Sequence, residues 1–161
     1  FQRQGARIVG PFDRAHFRHL SIFLFRERNL VDRTIIDSPG EFALLHNIWV
    51  DTRSRVFICD RENGRIQLFD DQGAYLEEWT DLLSPGDLWI QDDVVYVIEQ
   101  GERGGVSIWT LDGDLITRWR GSEGPGKGTL SAGHGICVDS HGSIYVTEIG
   151  RGERVSKFVR V

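Results

Sequence analysis

The chain has 161 residues, 40% of them hydrophobic and 27% charged, with a formal net charge of −5. That is enough chain to bury the core of one domain, and no apolar run approaches the roughly 20 residues of a membrane-spanning helix. The acidic balance disfavours binding to a phosphate backbone.

The charge is uneven. Residues 1–40 hold seven Arg against four acids, while the remainder holds twelve Lys and Arg against twenty. The chain contains no Met and starts with Phe1, which reads as a processed chain or a piece of a longer frame. The start shows no basic-then-apolar signal-peptide pattern. Two cysteines, Cys59 and Cys137, sit in apolar strand-like runs, where a thiol behaves as a small hydrophobe. They make no disulfide framework and leave the compartment open.

Residues 1–40 read as an irregular segment, a remnant of an earlier blade or an out-of-frame stretch. His19–Phe25 is an apolar run too short for periodicity to type. His16 and His19 lie three apart and read as surface or packing residues rather than a metal pair.

From Glu41 onward the pattern is regular. Short runs at Ile48–Val50, Val56–Cys59, Ile66–Phe69 and Tyr75–Trp79 are strand-length and rich in Val, Ile, Phe, Tyr and Trp. Asn63-Gly64 between the second and third is a hairpin signal of the type I′ kind. The four runs read as an antiparallel meander.

The unit then recurs at Leu88–Ile90, Val94–Ile98, Val106–Trp109 and Leu115–Trp119. A third copy runs through Ile136–Val138, Ile144–Thr147 and Val155–Val159, with no fourth run. Superposing first strands places Ile48 on Leu88 and on Ile136, offsets of 40 and 48. The longer gap is taken up by the Gly-rich connector 121–126, which lacks the strand–helix setting and Lys-Ser/Thr ending of a phosphate loop.

A four-strand repeat of about 40 residues is the signature of a β-propeller blade. The expected architecture is all-β: an irregular 1–40, then blades at about 41–84, 85–120 and 130–161. Three blades cannot close a ring of the usual four to eight. The expectation is half of a six-bladed propeller, closed by missing N-terminal blades or by a second chain as a homodimer. Strand alternation pairs Ile48 with Val50, Val56 with Ile58 and Ile66 with Leu68, all expected between blades. Trp49 recurs as Trp89 and Trp79 as Trp119, expected in the same packing. Asp60 and Arg65 flank the Asn-Gly turn and are expected to pair across it. Glu99 and Glu148 end second strands at matched positions, a carboxylate pair only if they converge.

The string Asp60-Arg61-Glu62-Asn63-Gly64-Arg65-Ile66-Gln67 resembles the turn of an NHL-type propeller blade. More narrowly, residues 44–51 (LLHNIWVD) followed by residues 59–69 resemble the peptidyl-α-hydroxyglycine α-amidating lyases (peptidylamidoglycolate lyases). Gly133-His134-Gly135-Ile136 resembles that family's last blade. The resemblance covers residues 41–161. It implies a carbon–nitrogen lyase that releases glyoxylate from a peptidyl-α-hydroxyglycine and leaves a peptide amide. It implies a zinc ion in the central channel, held by histidines at the heads of inner strands, with His46 and His134 on two of those positions. Arg61 falls on the substrate-contacting, catalytic-site arginine.

The chemistry is coherent. Neutral imidazole suits Zn²⁺, and a catalytic zinc takes about three protein ligands and an open position. A bound zinc lowers the pKa of a coordinated hydroxyl or water, and arginine grips a carboxylate bidentately. By the same resemblance, a third histidine and a catalytic tyrosine belong to an earlier blade. The family's Pro-His-Asp reads Gly133-His134-Gly135 here, which removes a carboxylate that would serve a structural calcium. The middle copy carries Gly86-Asp87 where the others carry histidine.

Two other functions fit the same strands. One is a non-enzymatic propeller presenting its channel to a peptide, protein or small-molecule ligand. The other is a calcium-dependent, lactonase-like propeller, for which Asp87 is the one acid near a strand head. Neither involves nucleic acid or membrane. His141 reads as a solvent-facing turn residue.

Overall fold

A computed structural model describes residues 38–101, 104–120, 130, 132–150 and 153–159, together with the backbone of 26–27. His16, His19, the run His19–Phe25 and the connector 121–126 lie outside the described residues.

Two short strands, β1 (Arg26–Glu27) and β2 (Glu41–Phe42), pair in parallel ahead of the first blade. That blade is β3 (Leu45–Val50), β4 (Val56–Asp60), β5 (Arg65–Phe69) and β6 (Tyr75–Trp79). The second is β7 (Pro85–Gln91), β8 (Val94–Glu99), β9 (Gly105–Thr110) and β10 (Leu115–Arg120). The third is β11 (Gly133–Val138), β12 (Ile144–Glu148) and β13 (Arg154–Phe158). In each sheet the strands lie in chain order and pair antiparallel, so all three are meanders, with four, four and three strands. Every strand read from Glu41 onward is present, and the blades are those of a β-propeller.

Local hydrogen bonding explains the turns. Asp51, Asp70 and Asp139 each accept, on one carboxylate oxygen, the backbone N–H groups two and four residues on. Thr110 does the same with its hydroxyl. A short polar side chain that mimics a turn carbonyl favours this geometry. The Asn63-Gly64 turn differs from the sequence expectation. Type I′ needs positive φ at both central residues, and here only Gly64 has it, at 62°. Four residues, Arg61 to Gly64, bridge the paired Asp60 and Arg65, and loops of that length are built on ordinary turns closed by a left-handed residue. The two-residue turn with positive φ throughout is Asp92-Asp93, at 50° and 61°.

The cores lie between blades. Phe57, Cys59, Ile66, Leu68 and Trp79 of the first blade pack on Leu88, Val95, Val97 and Trp109 of the second. Ile98 and Val106 of the second pack on Ile136, Val138, Ile144 and Val146 of the third. The tryptophans join these interfaces as expected. Trp49 meets Trp89 edge-on with centroids 4.9 Å apart, Trp79 stacks on Trp109 at 5.7 Å and 17°, and Trp119 meets Phe158.

Two expectations are corrected. Ile48 and Val50 do share a face, but they are 60% and 57% exposed. Cross-strand pairing puts them with Val56 and Ile58, likewise expected between blades, on the side of the first blade facing away from the second. Phe42, just ahead of that blade, covers Ile58 and Phe69 on this side and leaves Ile48 and Val50 open. Cys137 is likewise exposed, whereas Cys59 is buried, and both are free thiols. Cys137 shares the outward side of the third blade with Val155, which is 66% exposed.

A buried acid–arginine pair recurs in every blade. Asp60 meets Arg65 at 2.8 Å, Glu99 meets Arg118 at 2.9 Å, and Glu148 meets Arg154 at 2.6 Å. Asp60 also takes the N–H of Ala43 and Glu99 that of Leu83. Asp60 and Glu99 thus tie the segments entering their blades to the sheet, while Glu148 holds Arg154 and Ser156 of β13. Glu99 and Glu148 serve separate blades and do not converge as a catalytic pair.

Candidate functional site at the heads of the first strands

The first strand of each blade breaks register at the same point. The shift lies between Leu45 and Ile48 in β3, Pro85 and Asp87 in β7, and Gly133 and Gly135 in β11. The residues inside these breaks are His46-Asn47, Gly86 and His134. A bulge re-aims the side chain it carries, and here it does so at all three candidate channel positions.

The breaks bring His46 and His134 together. Their rings meet edge-on with centroids 5.6 Å apart, although they belong to the first and third blades. Between them stands Gly86, which has no side chain to separate them. Its carbonyl lies 3.0 Å from His46 Nδ1. A carbonyl only accepts, so Nδ1 is the donor and Nε2 is the nitrogen turned away from Gly86.

Asp87, next to Gly86, links all three blades. One oxygen takes the N–H of Leu88 at 2.9 Å and a short hydrogen bond from the Asn47 amide. The other takes the N–H of Ile136 at 2.8 Å. Burial raises its carboxyl above the ordinary range, and the Ile136 and Leu88 N–H groups and the two histidines oppose that rise. Both oxygens are occupied by N–H donors, so a calcium ion would have to displace them. Burial, reinforced by Asp87, pushes the Cys59 thiol up, which makes it unreactive.

Arg61 follows β4, at the same end of the blade as His46, since Leu45 pairs with Asp60. Its guanidinium lies 3.3 Å from Glu62, and its Nε is buried with no partner among the described residues. The structure therefore brings two of the three sequence-derived site residues into contact and ties the third to its neighbour.

The histidine pair passes part of the test for zinc. Two imidazoles on one tetrahedral zinc, with Zn–N of about 2.0–2.1 Å, hold their centroids about 5 Å apart, close to the observed spacing. The His46–Gly86 bond is the carbonyl support that metal-binding histidines commonly have. The full set fails it. Among the described residues no three His, Cys, Asp or Glu side chains converge on a metal position, so these residues alone do not make a catalytic zinc site.

Sequence reasoning missed Asn47 and Gln100. Asn47 stands one repeat before Asp87, and the 40-residue offset could have paired them. The Gln100 side chain packs against Gly86, where an added Cβ would collide with it, and no sequence signal announces that contact. A groove of about 450 Å³ between the second and third blades, lined by Tyr96, Ile108, Trp119 and Phe158 among others, lies at the opposite end of the strands.

No family model matches the chain. It is 34% identical over 64 residues to human NHL repeat-containing protein 3, an alignment covering 37% of this chain and 18% of that protein. Among solved structures it is similar to virginiamycin B lyase from Staphylococcus aureus, with a TM-score of 0.50 at 19% identity over 72% of this chain and 41% of that one. A catalytically inactive histidine-to-alanine variant of that enzyme, solved with quinupristin, aligns over the same shares at 17% identity and a TM-score of 0.50. A streptogramin B lyase gives 0.52 at 14% identity over 78% and 43%. The chain thus spans less than half the length of each. The fold is a β-propeller's, with blades similar in sequence to NHL repeats.

Proposed function

We propose that these blades belong to a propeller lyase of the peptidylamidoglycolate type, with the His46–His134 pair at its reactive centre. The observation that carries this reading is the meeting of two imidazoles from different blades, one of them oriented by the Gly86 carbonyl. His46 and His134 would supply two zinc ligands through ring nitrogens, and the third would come from outside the described residues. Arg61 would turn from Glu62 to the carboxylate of the departing glyoxylate. The lyase names of two structural neighbours, and the inactivity of a histidine variant of one of them, are in keeping with a histidine-dependent lyase on this fold.

The test is glyoxylate release from a peptidyl-α-hydroxyglycine by the protein that carries these blades, with its zinc content measured in parallel. His46→Ala and His134→Ala should each lower bound zinc and abolish release. A zinc-free protein that binds peptides equally well with either substitution would sink the lyase reading in favour of a binding propeller. The Arg61–Glu62 pairing favours that second reading, because it leaves the guanidinium engaged.

A further inference from the structure

Four buried side-chain polar atoms lack a hydrogen-bond partner among the described residues: Asn47 Oδ1, Arg61 Nε, Gln100 Nε2 and Trp79 Nε1. Asn47 and Gln100 both adjoin Gly86. The Gln100 carboxamide packs against the Gly86 Cα, and Asn47 is held by Asp87, the next residue. The Asn47 amide nitrogen points to the Asp87 carboxylate, which fixes its orientation and leaves Oδ1 as the free acceptor.

A buried unpaired donor or acceptor carries a desolvation penalty of about 1–3 kcal/mol. Two of them, of opposite sense, flank the glycine over which the histidines meet. From this we infer that Gln100 and Asn47 form a polar subsite for an amide group of the channel ligand. Gln100 Nε2 donates to the ligand's carbonyl oxygen, and Asn47 Oδ1 accepts from its N–H. In the middle blade, Gln100 over Gly86 thus stands where the flanking blades place imidazoles. The torsion that turns a glutamine carboxamide is broad, so Nε2 can swing to an incoming acceptor. A site built to hydrogen-bond a ligand discriminates strongly against analogues lacking the matching group, because its own groups then stay unpaired. A peptide amide presents one carbonyl acceptor and one N–H donor to this pair, whereas a bare carboxylate has no donor for Asn47 Oδ1. This inference rests on the channel reading above but not on zinc or turnover.

The experiment uses the protein that carries these blades and an N-acetylated dipeptide amide as probe, with binding followed by calorimetry. The depsipeptide in which an ester replaces the probe's backbone amide is the control. Gln100→Met keeps the length and removes the donor, and Gln100→Leu serves as a second variant. Both should weaken the amide about tenfold. The ester should bind the unaltered protein about tenfold more weakly than the amide. Thermal stability should hold or rise in both variants, because an unpaired buried donor has been removed. Unchanged amide affinity in both variants, no difference between amide and ester, or a loss of thermal stability without a loss of binding would each overturn the subsite. Glyoxylate release that survives in a Gln100 variant with unchanged amide affinity would sink the subsite and leave the lyase reading standing. Amide binding lost in the Gln100 variants of a protein that releases no glyoxylate would do the reverse.

Discussion

Asp87 accepts the backbone N–H of Ile136 at 2.8 Å, a bond from the second blade to the first strand of the third. The same carboxylate holds Asn47 of the first blade, so one side chain fixes the mutual position of three blades beneath the histidine pair.

That arrangement makes stability depend on pH in a definite direction. Burial raises the Asp87 carboxyl in the fold above its unfolded value of about 3.9. The folded state therefore holds this proton to higher pH than the unfolded state does. The contribution is complete below the ordinary carboxylate range and is lost as pH rises through the raised value. Asp87→Asn cannot titrate. Urea unfolding of both proteins from pH 3 upward should show the variant gaining on the unaltered protein as pH rises, and a difference that stays flat would refute it.

Gly86→Ala should displace the Gln100 side chain. The added methyl group meets the flexible end of Gln100, which can turn aside, so the cost should sit at the low end of the overpacking range, about 1 kcal/mol. The Gly86 carbonyl holds His46 Nδ1, and that ring meets His134, so a backbone shift at Gly86 reaches both imidazoles. Denaturant midpoints should fall, and the imidazole resonances of both histidines should shift in NMR spectra.

The Asp60–Arg65 pair should matter far more than an exposed ion pair. Both side chains are almost wholly buried, and Asp60 also bonds Ala43 and Asn63. Asp60→Ala removes one of the two carboxylates on the guanidinium, leaving Glu78 and the Glu41 carbonyl, and strips Ala43 and Asn63 of their acceptor, so it should cost about 3 kcal/mol. Asp112→Ala, which breaks an exposed contact with Arg53, should cost less than about 1 kcal/mol. Equal effects in unfolding measurements would argue against a structural role for the buried pair.

Cys59 should resist thiol reagents until the protein unfolds, because it is buried and its thiol is held protonated. Labelling of native protein with mass mapping of the modified peptide checks this. Modification of Cys59 at the rate of a free thiol would show that the interface between the first two blades opens.

The strands were legible because each is a short Val-, Ile- and aromatic-rich run between turn residues, and the repeat because Trp49 and Trp89 stand at one spacing. The Asp60–Arg65 pairing could be read because it spans one hairpin. The exposure of Ile48 could not: alternation assigns a residue to a face but does not say what covers that face. Nor could the meeting of His46 and His134. It depends on breaks in strand register, which shift pairing by single residues and leave no mark in composition. It depends equally on an absent side chain, and Gly86 reads in sequence only as a missing ligand.

The shared register breaks have a further consequence. Residues 46 and 134 sit where strand pairing is already interrupted, so their identities place little demand on the interfaces between blades. The propeller can therefore vary what lines its mouth while the packing of Trp79 on Trp109 stays as it is, and new chemistry there requires no new fold.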